Sequence, residues 1–405
     1  MLLGAKDRMT GMRIGIVTDC YPPHMGGIET QTSNLAQRLK DAGHSPEVIT
    51  ATRDGSFVGR RIEEQIPVHR LGMPTIGFTP MNPFAGPLFR AIFPRFDLLH
   101  VHVGVLSPFA HLALQVAAAN QIPTLVTFHC ELATWVPLLR ASGFFDRWVE
   151  AGILFTGVSS LMNSQINQLL AAKNRRSWPI VPNGVDSDFW SPDPNDHGSR
   201  SDQGYLGRHE PALSSIKPRT TTKNFKAVSA IRLMPRKRPL ALIKFADTVN
   251  QLLGSQGNLQ LQIFGEGTLR PVLRGQRQVK DGQVILPGRK DPSGLLAAYR
   301  QADFFITLCL HESFGIAAAE ARASGIPVIV RSQSPITDFI TEGVTGLTAA
   351  SDQELAEKTA AALIDGTLER LRENCKLQPS PVSWERCLEA TLTAYRQAIE
   401  LRRKN

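Results

Sequence analysis

Leu98-Leu-His-Val-His-Val103, a helix's length around Pro108–Ala119, then Thr124-Leu-Val-Thr-Phe-His129: this stretch decides the fold. Each flank is a short apolar run of strand length. The residues between are long enough to cross a sheet face and return. That pattern reads as two buried parallel strands joined by a crossover helix. Working outward, Arg13-Ile-Gly-Ile-Val-Thr18 is another such run, followed by the loop Asp19–Gly27 and an amphipathic helix over Ile28–Ala42. Ser45–Ala51 and Thr156–Ser159 read as further strands. The alternation predicts an open parallel sheet with helices on both faces.

After Trp190 the composition shifts. Residues 191–226 are rich in Ser, Asp, Pro, Thr and Lys and read as a flexible linker. The alternation then restarts, with strands expected at Ala227–Ala230, Leu259–Phe264, Val284–Leu286, Phe304–Leu308 and Pro327–Val330. The chain therefore divides into a first doubly wound domain over 12–190, the linker, a second over 227–382, and a long terminal helix over 383–403. Met1 to Gly11 read as a disordered lead-in. In doubly wound sheets ligands bind at the carboxyl ends of strands. Two such domains facing each other would make one cleft there.

A length of 405 residues suits two full cores, and 42% hydrophobic with 20% charged residues is ordinary for a soluble globular protein. The formal charge of +9 is spread along the chain rather than massed in an arm, which suits anionic membranes, phosphorylated ligands or nothing in particular. No basic stripe or recognisable module signals nucleic-acid binding. Five scattered cysteines without a C-x-x-C argue for reduced thiols and against a zinc site. No run of 18 apolar residues spans a membrane and no secretion signal is evident, so a cytoplasmic setting is expected.

Several motifs sit at strand ends. Gly26-Gly27 lets backbone approach a phosphate or sugar, although a Gly-Gly pair alone reads first as a flexible turn. It is not a G-x-G-x-x-G fingerprint, so a nicotinamide oxidoreductase is not signalled. Arg232, Arg236, Lys237 and Arg238 place four cations within seven residues after a strand, fit to clamp a diphosphate or simply a solvated basic turn. His129 ends a strand and is placed to meet a substrate hydroxyl, or to serve structure. Asp186-Ser-Asp188 imitates an Asp-x-Asp metal site but sits in a turn-rich loop. In Glu312-Ser-Phe-Gly-Ile-Ala-Ala-Ala-Glu320, a spacing of a little over two helical turns puts both carboxylates on one side of one helix, with N–H groups of Phe314, Gly315 and Ile316 offered to an anion. Leu138, Leu139, Phe144, Phe145 and Trp148 with Arg140 and Arg147, and the run Phe84–Phe96, are either core or an interfacial patch.

Taken in order, these motifs resemble the family 4 glycosyltransferases of the GT-B fold. The run is Gly26-Gly27, Val126-Thr-Phe-His129, Pro182-Asn-Gly-Val-Asp186, Arg232 to Lys237, Gly265-Glu-Gly267, Glu312 to Glu320, Ala323-Ser-Gly-Ile-Pro-Val328 and Glu342-Gly-Val-Thr-Gly346. Ser383-Trp-Glu385 resembles the start of a terminal helix that crosses back to the first domain. The resemblance implies a retaining transfer of a hexose from a nucleotide-diphosphate sugar, GDP-mannose or a UDP-sugar, to a hydroxyl of a lipid, glycolipid or polyol. Cell-envelope synthesis is the implied setting. It implies no cofactor and no metal, because Arg232 and Lys237 would hold the diphosphate. Glu320 would bind the ribose, and Glu312 with His129 would serve the transferred sugar. Gly26 and Gly27 would approach the phosphate, and Arg289 and Lys290 would meet the base. The alternative is a non-catalytic nucleotide-sugar-binding protein or scaffold on the same fold. The chain departs from the family pattern at Ile231, at Leu308-Cys309 and at Arg331-Ser-Gln-Ser-Pro335, the last near the donor.

Overall fold

The computed structural model describes residues 11–24, 26–74, 80–104, 107–193 and 223–404. They form two compact units. The first comprises the chain up to Gly184, with Glu312–Phe314 and the segment from Val382 onward; the second comprises Val185–His311 and Gly315–Pro381.

The first unit is built on a seven-stranded sheet of β1 (Arg13–Thr18), β2 (Ser45–Thr50), β3 (Gly59–Glu63), β4 (Ile66–Arg70), β5 (Leu98–Val103), β6 (Thr124–Phe128) and β7 (Leu154–Gly157), in the order β3-β4-β2-β1-β5-β6-β7. All pairs are parallel except the β3–β4 hairpin at one edge. β5 and β6 are buried along their whole length, which explains their mainly apolar runs; His100 and His102 of β5 are buried with them. The hairpin escaped the sequence reading because Gly59–Glu63 is half charged. Its order comes from neighbours: Arg70 is fully buried, forks onto Glu63 at 2.7 and 2.8 Å, and donates to the carbonyls of Thr52 and Pro22.

The second sheet has six parallel strands: β8 (Lys223–Ala230), β9 (Gly257–Phe264), β10 (Val284–Gly288), β11 (Phe304–Thr307), β12 (Val328–Arg331) and β13 (Gly346–Ala349). Their order is β10-β9-β8-β11-β12-β13. β8 starts four residues before the expected Ala227. Lys223–Lys226 are strand and not linker, because they pair in register with Gly257–Gln260 and bury Phe225 while their lysines face outward. The remainder of the expected linker, 194–222, and nearly all of the lead-in lie outside the described residues. β13 was missed because its Gly-Leu-Thr-Ala is too short to carry a period.

The terminal helix Trp384–Lys404 packs in the first unit against β6 and β7. Its Tyr395 is fully buried, and Arg402 donates to the Ala151 carbonyl at 3.0 Å. The strand order reverses between β1 and β5 in the first sheet, the edge hairpin β3–β4 aside, and between β8 and β11 in the second. Such reversals open a crevice at the strand carboxyl ends, and most of the motifs read from sequence fall beside these two points.

Candidate functional site

In the second unit the turn after β8 is held by backbone. Ile231 N–H donates to Phe264, Leu233 N–H to Glu266, and Leu269 N–H to Leu233, all near 3 Å. Gly265 makes this approach possible: its φ is 126°, and a Cβ there would lie 2.0 Å from the Ile231 carbonyl oxygen. Gly265-Glu-Gly267 thus serves to brace the turn that carries Arg232. Arg232 and Arg236 are exposed and Lys237 is half-buried, at the end of the single 3-10 turn Pro235–Lys237. Arg238 is different from the other three cations. Its guanidinium is bound to Asp352 and to the Leu308 carbonyl. Arg289 and Lys290 are exposed just beyond β10.

The two glutamates do not share a helix. Helix Ile316–Ala323 starts after Gly315, whose φ of 93° sets the entry. Glu312 lies four residues upstream, in the segment that belongs with the first unit, while Glu320 stands in the second turn of the helix. The left-handed glycine breaks the periodicity that would have carried the helix back to Glu312. N–H groups of the helix's first turn, Ile316 included, have no intrahelical acceptor and carry the positive end of its dipole. Burial pushes the Glu320 carboxyl up to about 8. Near it, the fully buried Tyr299 hydroxyl has no partner among the described residues, and burial, then the charge of Glu320, holds its pKa well above the usual phenol.

In the first unit, Gly26 is extended and caps helix Gly27–Asp41. The loop before it is anchored by Asp19, which accepts from the N–H groups of Phe109 and Ala110 at 3.1 and 3.3 Å. Burial raises its carboxyl to about 7, against the pull of those helix N–H groups. His129 lies one residue past β6, half-buried. It is one member of a histidine cluster: His102 Nδ1 and His129 Nε2 share a hydrogen bond at 2.8 Å, and His100 bonds Thr127 at 2.7 Å and the Tyr395 hydroxyl at 2.9 Å. Burial lowers His100 to about 3 and His129 to about 4, so all are neutral imidazoles near pH 7. His102, Asp19, Tyr299 and Asp352 escaped the sequence reading; only the position of Asp19 and His102 at the ends of β1 and β5 could have flagged two of them.

Asp186 accepts from the N–H groups of Asp188 and Phe189, so Asp186-Ser-Asp188 is a turn. The apolar stripes split. Phe89, Phe93, Phe145 and Trp148 are core, Phe89 stacking on Phe93 and meeting Phe109 edge-on while Phe145 meets Trp148 edge-on, whereas Phe84, Leu88, Leu138 and Phe144 are exposed. Among the described residues no helix is long and apolar enough to cross a membrane.

The family model for Glycosyltransferase Family 4 matches residues 25–189, and that for Glycosyl transferases group 1 matches 214–378. An alpha-monoglucosyldiacylglycerol synthase of Streptococcus pneumoniae is 26% identical, over 87% of this chain and 78% of its own length. A GDP-mannose-dependent alpha-(1-6)-phosphatidylinositol monomannoside mannosyltransferase of Mycobacterium tuberculosis is 25% identical, over 87% of this chain and 89% of its own. Among solved structures, Anabaena HepE in complex with UDP-glucose superposes with a TM-score of 0.61 at 17% identity, covering 96% of this chain and 98% of that one. The likeness in structure shows the fold, GT-B, as the order of motifs implied.

Proposed function

This chain belongs to glycosyltransferase family 4, with a group 1 second half, and is a glycosyltransferase; from that premise we propose that it moves a hexose from a nucleotide-diphosphate sugar to a hydroxyl of a membrane lipid or glycolipid, with retention and without a metal. One observation carries the proposal. In the second unit the cations of the β8 turn and the N-terminus of helix Ile316–Ala323 flank the single reversal of strand order. Cations and helix N–H groups at that place suit a diphosphate.

Arg232 and Lys237 bind the diphosphate and stabilise the charge that develops on it as the anomeric C–O bond breaks. That is the duty a divalent metal would otherwise serve. Backbone N–H groups of Phe314, Gly315 and Ile316 bind phosphate or sugar. Glu320 accepts from the ribose hydroxyls, and Arg289 and Lys290 meet the base. Glu312 holds a sugar hydroxyl and faces the positive charge at the anomeric carbon; Gly26, Gly27 and His129 stand at strand ends of the first unit, fit for a phosphate or a sugar hydroxyl. The acceptor oxygen bonds to the anomeric carbon on the face the phosphate leaves, and its proton passes to a phosphate oxygen. A lipid acceptor is supported by the two relatives named for glycolipid synthesis and by exposed Leu88, Leu138 and Phe144 with arginines 90, 140 and 147 nearby in sequence. Such a surface suits an anionic membrane on its cytoplasmic face.

A thermal-shift screen of UDP-, GDP- and ADP-sugars tests the donor: one nucleotide class should raise Tm, and no response to any would overturn the reading. Activity should survive EDTA, and NMR of the product should show the donor's anomeric configuration. Flotation with anionic liposomes should succeed; failure would point to a polyol acceptor. Glu312→Gln should mainly lower kcat and Glu320→Gln mainly raise the donor Kd, and equal effects on binding alone would contradict the division.

A further inference from the structure

The reading of Arg232 and Lys237 as the diphosphate clamp leaves the neighbouring Arg238 unexplained. Its backbone is left-handed, φ 54° and ψ 46°, a conformation L side chains adopt at a cost. It closes the Pro235–Lys237 turn and opens helix Pro239–Leu253. Its guanidinium does not point out as a fourth phosphate ligand. Nη1 donates to the Leu308 carbonyl at 2.9 Å, just past β11, and the fork closes on Asp352 at 2.6 and 3.2 Å.

Asp352 is the first residue of helix Asp352–Ile364, where the dipole favours a carboxylate. It receives a second guanidinium, from Arg331 at the end of β12, at 2.6 Å, and Arg331 also donates to the Ala350 carbonyl. One carboxylate therefore lies between two arginines, one at the cap of helix Pro239–Leu253 and one at the end of β12. Burial works against its ionised form, but the two guanidiniums outweigh it and hold the carboxyl below its ordinary range. Charge-assisted, forked contacts of this kind fix geometry as well as charge. The Cys309 thiol adds a weaker contact to the Arg236 carbonyl at 3.6 Å. The turn that carries Lys237 is thus tied to the carboxyl end of β11 and to the start of helix Asp352–Ile364 through one side chain.

We propose that Asp352 is a positioning residue of the donor site: through Arg238 it holds the Lys237 turn in the place where it meets a nucleoside diphosphate. This rests on the diphosphate reading of Arg232 and Lys237. It also gives Arg331, in the segment that departs from the family pattern, a duty in this chain.

The test titrates UDP, GDP, uridine and guanosine by calorimetry into the full-length wild type, Asp352→Asn, Arg238→Gly and the double variant. Wild type should bind UDP or GDP. Each single variant should weaken that nucleoside diphosphate roughly five- to tenfold, the size of coupling within one network, with the double variant no worse than the singles. Affinity for the matching nucleoside, which lacks the diphosphate, should be unchanged. Arg238→Gly suits the backbone at φ 54°, so it keeps the test open if Asp352→Asn folds poorly. Unchanged diphosphate affinity in both variants, additive losses, or equal losses for diphosphate and nucleoside would overturn the inference while leaving the clamp intact. Wild type that binds neither UDP nor GDP would overturn the clamp reading itself, and this inference with it.

Discussion

The two units treat polar groups at their strand ends in opposite ways. In the first, Asp19, His100 and His102 are buried and bonded to neighbouring chain, with His129 half-buried on His102. In the second, Arg232, Arg236, Arg289 and Lys290 stand exposed, while Arg238 and Arg331 are committed to internal partners. The difference teaches where a charged ligand gains most. A diphosphate meets Arg232 and Arg236 already exposed at their strand end, whereas the first unit keeps its histidines neutral by burial. Buried polar groups that already satisfy one another rigidify their surroundings, and rigid groups position more precisely than they attract.

The comparison breaks first if charge removal in the second unit leaves binding intact. Arg232→Ala and Lys237→Ala should each weaken the donor nucleotide roughly 10- to 100-fold, as loss of a hydrogen bond to a charged group does, with Tm nearly unchanged. Calorimetric titration beside a melting curve reads both. The first unit should answer in the opposite sense. Tyr395→Phe removes the hydroxyl that bonds His100 at 2.9 Å in full burial, so it should cost about 1–3 kcal/mol of stability by denaturant titration and leave donor affinity alone.

The pH dependence sharpens the contrast further. Glu320 releases its proton near 4.5 when unfolded and near about 8 when folded. Between those values the folded state binds more protons, so stability falls as pH rises through that window and levels off above it. Glu320→Gln should flatten this alkaline limb, read as Tm against pH at roughly 2–4 °C per kcal/mol. The histidines run the other way. His100 is held at about 3 against 6.5 unfolded, so its contribution is present above 6.5 and is lost as pH falls toward about 3. His100→Gln, which keeps hydrogen-bonding capacity but cannot titrate, should give the smallest change: a shallower acid limb with little shift at neutral pH.

Much of the fold was legible because buried parallel strands are mainly apolar along their length. β1, β5, β6 and β11 announce themselves that way, and Gly265-Glu-Gly267 and the Arg232–Lys237 cluster sit where such strands end. The β3–β4 hairpin was not legible, because the charged residues of β3 are ordered by contacts such as Arg70 of β4 on Glu63 and not by a period of their own. The shared helix drawn through Glu312 and Glu320 failed at one residue. Spacing alone cannot show that Gly315 turns left-handed and starts the helix late.

Sequence by itself determined the two alternating domains, the motif order that marks the family, and the residue types fit for a diphosphate and a ribose. These depend on chemistry carried by neighbours along the chain. Only the tertiary structure decided which charges are available. Arg238 and Arg232 look alike in sequence, yet one is locked between Leu308 and Asp352 while the other faces solvent. Partners 70 and 114 residues away make that distinction, and no local pattern records them because a side chain's free charge is set by what folding brings against it.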